Sequence, residues 1–286
     1  MSGFPSPSEF PADSMLKSLF SAGKTSSGDI RSALTIAKGS FSSPATGKVI
    51  SADPGKPRFI RSLFDRISRR YDLFNRVSSL GLDRSWRRKT IDSLSLRPGM
   101  SVLDLASGTG DLAQIAAARL APLGLVAACD FSHEMLRSAN ARLSHSPAGY
   151  WHMRLAQGAA ERLPFAPEAF DGATMGFALR NVSDLDATLR EFHRVLKPGG
   201  RLALLELGRP RAWWMRIGHR LWLSTAVPVL GALTTGAIWP FLYLRRSILQ
   251  FMAPEQVVIR LEAAGFRSVR SEPLSGGIVY LYTALK

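Results

Sequence analysis

VLDLASGTGDL, Val102 to Leu112, reads as a buried strand, a tight glycine turn and the first turn of a helix. Val102, Leu103 and Leu105 suit an interior parallel strand. Gly108 and Gly110 let the backbone bend sharply and let a ligand approach it closely. The helix that follows offers unpaired N–H groups to a polar ligand. Asp130 lies 20 residues beyond Gly110, at the end of a second apolar run, Leu125 to Cys129. A carboxylate at that separation can hydrogen-bond a ribose diol, so the spacing implies a nucleoside-containing cofactor.

Two cofactors fit this geometry. Gly108, Gly110 and Ala113 match the dinucleotide pattern G-x-G-x-x-A, which alone permits a nicotinamide dehydrogenase. Asp104 stands inside the strand, where a carboxylate repels a pyrophosphate and attracts a cation. S-adenosylmethionine carries a sulfonium and an ammonium and no phosphate, so charge favours it. A glycine turn that binds nothing is the bland alternative.

The chain of 286 residues is long enough for one large domain or two small ones, and 46% apolar residues supply a core. A single cysteine, Cys129, excludes an internal disulfide framework and reads as core rather than nucleophile. Net charge is +15, and arginine outnumbers lysine 29 to 8, a balance that suits nucleic acid or an anionic membrane surface. Residues 1–55 are rich in Ser, Thr, Pro and Gly and read as a disordered extension. They lack the apolar core of a secretory signal, and with one Arg and four acids they fit a transit peptide poorly.

Residues 56–286 read as one α/β domain with strands alternating with helices, hence a doubly wound, mainly parallel sheet. Its opening segment, 58–95, is expected to be helical: Phe59, Leu63, Ile67, Leu73 and Val77 recur at helical spacing through Arg88. Helices are expected over Asp111–Leu120, Met135–Leu143, Leu185–Leu196 and Pro254–Gly265, and further strands over Phe170–Phe177, Arg201–Glu206 and Ile278–Tyr282. Lys197-Pro198-Gly199-Gly200 stops the third of those helices. Ligands in such sheets bind beyond the strand C-termini, where Gly108, Asp130 and Phe177 would gather.

Leu221 to Leu244 runs 24 residues without a formal charge, inside an apolar insertion over 207–252. Its length and flanking arginines admit a single membrane span. Pro228, Gly231, Gly236 and Pro240 would interrupt one continuous helix, so a broken helical cap over an apolar pocket, dipping into the bilayer surface, is favoured over a span. Plain core packing is the other reading.

The chain resembles the ubiquinone/menaquinone biosynthesis C-methyltransferases over about 58–286. The likeness runs through FDRISRRYDLFNRVSSLGLDRSWRR (Phe64 to Arg88), VLDLASGTGDL, CDFSHEML (Cys129 to Leu136) and AAERLPF (Ala159 to Phe165). GFALRNV (Gly176 to Val182), VLKPGGRL (Val195 to Leu202), YLRRSI (Tyr243 to Ile248) and AAGF (Ala263 to Phe266) continue it in order. The YD-x-x-N and F-x-LRNV elements are the narrow ones; the glycine turn and Lys-Pro-Gly-Gly occur in many methyltransferases.

The resemblance implies a seven-stranded, Rossmann-like class I methyltransferase fold, an S-adenosylmethionine cofactor, a helical N-terminal lid and a prenylated quinol acceptor of the demethylmenaquinol or 2-methoxy-6-polyprenyl-benzoquinol type. It implies cofactor contacts from Tyr71, Asp104, Ser107, Gly108, Thr109 and Gly110, and from Asp130, Phe131, Ala159 and Ala160 across the cavity. Phe177 and Tyr243 are candidate acceptor contacts. Arg180 and Asn181, just past an expected strand end, are the candidate catalytic pair: the guanidinium to hold a quinol oxyanion, the amide to orient that oxygen or a water. Two departures concern the substrate side and the cofactor. Ala159 stands where the family has Asp or Asn, and Arg246 replaces a residue that is neutral or acidic.

Other readings follow from single features. Five histidines show no paired ligand spacing, so no metal site is expected. Glu161 reads as fixing a loop rather than as a general base. The arginine clusters at 66–70 and 84–88 lack an aromatic stacking module, so nucleic acid is not the expected partner, although net charge keeps an RNA methyltransferase as the second hypothesis. Ala159 motivates a third, a non-catalytic paralogue. The expected location is cytoplasmic, attached peripherally to an anionic membrane, with a homodimer left open.

Overall fold

The computed structural model describes residues 73–144 and 153–286. The expectations for the N-terminal extension, Tyr71 and the first part of the 58–95 segment fall outside them.

Seven strands form one sheet in the order β3-β2-β1-β4-β5-β7-β6. Strands β1 (Ser101–Leu105), β2 (Leu125–Asp130), β3 (Met153–Gln157), β4 (Phe170–Gly176) and β5 (Leu196–Leu207) pair in parallel. β7 (Val279–Leu285) inserts antiparallel between β5 and the edge strand β6 (Arg267–Leu274). Every residue of β1 and β2 is buried, as near-continuous apolar runs covered on both faces require.

Alternate residues of the strands feed two cores. Leu103, Cys129 and Met175 pack with Leu189 and Phe192 of the helix Leu185–Val195 and with Val257 and Leu261 of the helix Pro254–Ala263. Val102, Val126 and Leu205 pack on the opposite face with Trp86 and Ile91 of α1 (Asp83–Ser93) and Leu112 and Ala116 of α2 (Asp111–Leu120). The helix His133–Ser144 is α3, Leu185–Val195 is α4. Strand order reverses between β1 and β4, which opens a crevice at their carboxyl ends.

The expected long helix through Arg88 is interrupted. Residues 73–78 are helical, then a turn over 79–82 ends that helix before α1 begins. Leu80 and Gly81 both take positive φ (53° and 79°), and the Gly81 N–H donates back to Arg76 O at 2.8 Å, a helix-terminating geometry.

Three short helices replace the apolar stretch: α5 (Trp213–Ser224), α6 (Ala226–Thr235) and α7 (Trp239–Gln250), with Pro254–Ala263 following as α8. Pro228 and Pro240 sit in first turns, where the missing N–H breaks no helical bond. Among the described residues no helix is long and apolar enough to cross a membrane, which corrects the span that length alone admitted. Phe74, Leu223, Val227, Phe241 and Ile248 make a small third core inside this cap. Gly231 fits against the Phe241 ring so closely that a Cβ there would lie 2.0 Å from it.

Candidate functional site

A cavity of about 260 Å³ lies beyond the ends of β1, β2 and β4. Its floor is the turn after β1. Gly108 (φ 56°) and Gly110 (φ 86°) occupy the left-handed region, and Gly110 starts α2. Asp130 organises this turn: one carboxylate oxygen accepts the Gly108 N–H at 2.9 Å and the other the Ser132 N–H at 2.8 Å.

Asp104 reaches up from the interior of β1. Its Oδ2 accepts the Ala113 N–H at 3.0 Å; its Oδ1 is buried and, among the described residues, meets no hydrogen-bond donor. The buried Ser107 Oγ is in the same condition. Burial holds the Asp104 carboxyl well above the usual carboxylate range, and Asp130 and Asp111 nearby push it further the same way. Four carboxylates, Asp104, Asp111, Asp130 and Glu161, line the cavity against the one guanidinium of Arg87. That donor set suits a ligand carrying positive charge and repels a pyrophosphate, so the residues fit S-adenosylmethionine, whose ammonium would complete Asp104.

The cavity also gathers Thr109, Phe131, Ala159, Ala160, Phe177 and Asn181. Gly110 shapes the turn without lining the space. The Ala159 methyl brings no polar group to the wall. Glu161 accepts the Ser183 N–H at 2.8 Å and the Asp184 N–H at 3.3 Å, tying the loop after β3 to the loop after β4. Burial pushes the Cys129 thiol up to about 12, which removes it as a nucleophile at neutral pH.

Arg180 corrects an expectation. It does not line the cavity. It lies in the 3-10 turn Leu179–Asn181, and its guanidinium points inward, 2.5 Å from Glu206 Oε1 and 2.6 Å from Phe177 O. The Arg180 N–H donates to the other Glu206 oxygen at 3.1 Å. Glu206 is 1% exposed, and a charge so buried requires this partner. The pair pins the turn that presents Phe177 and Asn181. Tyr243, on α7, stands behind Asn181: its hydroxyl donates to Asn181 Oδ1 at 3.2 Å, and burial raises its pKa.

Arg87 is the site residue that sequence reasoning missed. In the sequence it is one arginine of the cluster at 84–88, weighed there only as a polyanion contact. In the structure it is buried, paired with Asp83 one helical turn before it and 3.3 Å from Asp111, with its guanidinium 5.5 Å from the centre of the Phe177 ring. The Asp83–Arg87 spacing of four on a helix is the signal that could have marked it. Among the described residues no three His, Cys, Asp or Glu are grouped to hold a metal ion.

Comparison with known proteins agrees with this geometry. The family described as the ubiE/COQ5 methyltransferase family matches residues 52–286. A demethylmenaquinone methyltransferase of Desulfitobacterium hafniense is 33% identical over 231 residues, covering 81% of this chain and 91% of its own. A ubiquinone/menaquinone biosynthesis C-methyltransferase UbiE of Geotalea daltonii is 36% identical over 228 residues, covering 79% and 96%. Among solved structures, an S-adenosylmethionine-dependent methyltransferase of Thermotoga maritima, titled a possible histamine N-methyltransferase, superposes with a TM-score of 0.54 at 19% identity over 79% of this chain and 99% of that one. At that identity the likeness concerns the fold alone.

Proposed function

The chain belongs to the ubiE/COQ5 methyltransferase family, and from that premise we propose how its residues methylate a quinol ring. It is an S-adenosylmethionine-dependent C-methyltransferase of quinone biosynthesis. The acceptor is a prenylated quinol, met at an anionic membrane surface on the cytoplasmic side. Residues 56–286 form the catalytic domain.

The cofactor supplies an electrophilic methyl group. Asp104 Oδ1 and Ser107 Oγ would hold its amino-acid end, and Asp130 would hold its ribose diol. Phe131, Ala159 and Ala160 would wall the base. Methylation at a ring carbon needs an electron-rich ring, which a quinol hydroxyl supplies as it loses its proton. Phe177 holds the ring flat against the cavity wall. Asn181 faces the developing oxyanion: with its Oδ1 occupied by Tyr243, its amide N–H groups are left to donate. Tyr243 keeps its proton at neutral pH and orients Asn181 instead of acting as a base. Arg180 and Glu206 are positioning residues for that turn. Loss of the ring proton to water after transfer restores the aromatic system.

The observation that carries this reading is the pair of partnerless buried oxygens, Asp104 Oδ1 and Ser107 Oγ, opening on a cavity that also holds Phe177 and Asn181. The test is incubation with methyl-labelled S-adenosylmethionine and, in parallel, a short-tailed reduced demethylnaphthoquinone, a short-tailed reduced benzoquinone and bulk tRNA. Label in one quinol names the ring. Label only in tRNA overturns the reading in favour of an RNA methyltransferase.

A further inference from the structure

The outward surface of the helical cap is built opposite to an ordinary surface helix. Nine of the fifteen large apolar residues exposed among the described residues lie between Trp213 and Leu242. On α5, Met215, His219 and Leu223 turn toward the protein, yet Trp213, Trp214, Ile217 and Leu221 project from the far side, 60 to 67% exposed. A helix apolar on both faces, with one face facing solvent, marks a surface made for contact.

Charge says with what. No Asp or Glu occurs between Glu206 and Glu255, while Arg209, Arg211, Arg216, Arg220, Arg245 and Arg246 do. A second cavity, about 330 Å³, opens at the N-terminal end of α5, lined by Arg209, Arg211, Arg216, Glu255 and Tyr280. Glu255 engages Arg211 at 2.5 Å, and Arg209 donates to Phe251 O at 3.3 Å. Among the described residues no carboxylate pairs with Arg209, Arg216 or Arg220. A second copy of the chain would bring the same arginines against one another, whereas the headgroups of an anionic bilayer complement them.

We propose that α5 lies flat in the surface of an anionic phospholipid bilayer. Trp213, Trp214, Ile217 and Leu221 enter the boundary between headgroups and acyl chains, and Arg209 and Arg216 hold headgroup phosphates at the mouth of the second cavity. The proposal deepens the quinol reading and rests on it for its use, since a prenylated acceptor resides in that same layer.

Sedimentation of the full chain with sucrose-loaded vesicles tests it. Binding is expected to vesicles containing phosphatidylglycerol and to fall by about thirtyfold on phosphatidylcholine alone or in an R209A/R216A variant, two basic side chains' worth of attraction. A W213S/W214S variant is expected to lose binding by tenfold or more, roughly the loss of two interfacial aromatics. In buffer without vesicles, both variants should methylate a short-tailed, water-soluble quinol as the parent does, which reports that they fold. In the parent, spin-labelled acyl chains should quench the tryptophan emission, a readout that needs no variant. Binding indifferent to phosphatidylglycerol, W213S/W214S bound like the parent, or absent quenching overturns the proposal; so does a dimer that W213S/W214S dissolves while vesicle binding is unmoved. If vesicles bind as expected and no quinol is methylated, the acceptor reading fails and the docking surface stands.

Discussion

Removing Arg180 strands Glu206. With its guanidinium gone, a carboxylate 1% exposed keeps only backbone donors, its own turn's Arg180 N–H and Leu207 N–H. Arg180→Ala is expected to cost about 3–5 kcal/mol in a urea titration, whereas an R180M/E206M double variant recovers most of it. Activity lost by R180A and not regained by R180M/E206M would then trace to a misplaced Asn181. Asp104 makes the opposite case, a charge that burial resists. Its folded pKa is raised, so its own contribution to stability without cofactor is full below the ordinary carboxylate range and is lost as pH climbs toward the folded value. Asp104→Asn is expected to flatten that decline and to raise the melting temperature without cofactor at neutral pH. It should also weaken S-adenosylmethionine binding about 10- to 100-fold by calorimetry, the loss of a charged hydrogen bond. Asp104, Asp130, Phe177 and Asn181 were legible as a site because strand ends in a doubly wound sheet converge. Arg180's direction was not, because its partner lies 26 residues away on β5, inside a run that reads as ordinary strand.

Strand and helix boundaries followed from local chemistry where one pattern dominated. β4 was expected over Phe170–Phe177, and the near-continuous apolar runs of β1 and β2 announced themselves. Strands β3 and β6 did not: MRLAQ and RSVRSEPL carry no clean alternation, because each lies at a sheet edge with half its positions open to water. The break at 79–82 also escaped periodicity, since Leu80 continues the apolar pattern while its φ of 53° ends the helix. In the cap, proline and glycine spacing foretold a broken helix but neither its three segments nor how they pack. Gly231→Ala tests that packing: its methyl would strike the Phe241 ring, which also packs tilted against Phe74 with ring centroids 4.2 Å apart. A loss of about 1–3 kcal/mol is expected by thermal melting. Because Tyr243 rides on the same helix as Phe241, quinol turnover should fall with it, while cofactor affinity from β1 and β2 is retained.

Across the whole molecule, charge is unevenly distributed. Carboxylates gather at the cofactor cavity and arginines over the cap, within a chain of net charge +15. Raising salt should therefore separate two properties. Exposed arginines are screened beyond about 10 Å at 0.1 M, so vesicle association should weaken steeply. The buried contacts of Asp104 are screened far less, and cofactor binding measured in the same titration should change little. Net charge alone suggested a polyanion without saying which, because a sequence total carries no map of where the arginines lie.

The cap is one uninterrupted stretch between β5 and α8, and the groups assigned to the cofactor all come earlier in the chain. Accommodation of the acceptor's tail can consequently be inherited as a cassette, while the ring contacts of Phe177 and Asn181 stay with the sheet. A recombination joining 209–253 of one relative to the remainder of another would exchange tail preference in a single event and leave the methyl-donor site and the ring contacts in their ancestral form. Such a chimera is expected to bind S-adenosylmethionine with the affinity of the recipient and to rank quinols of different tail length in the order of the donor.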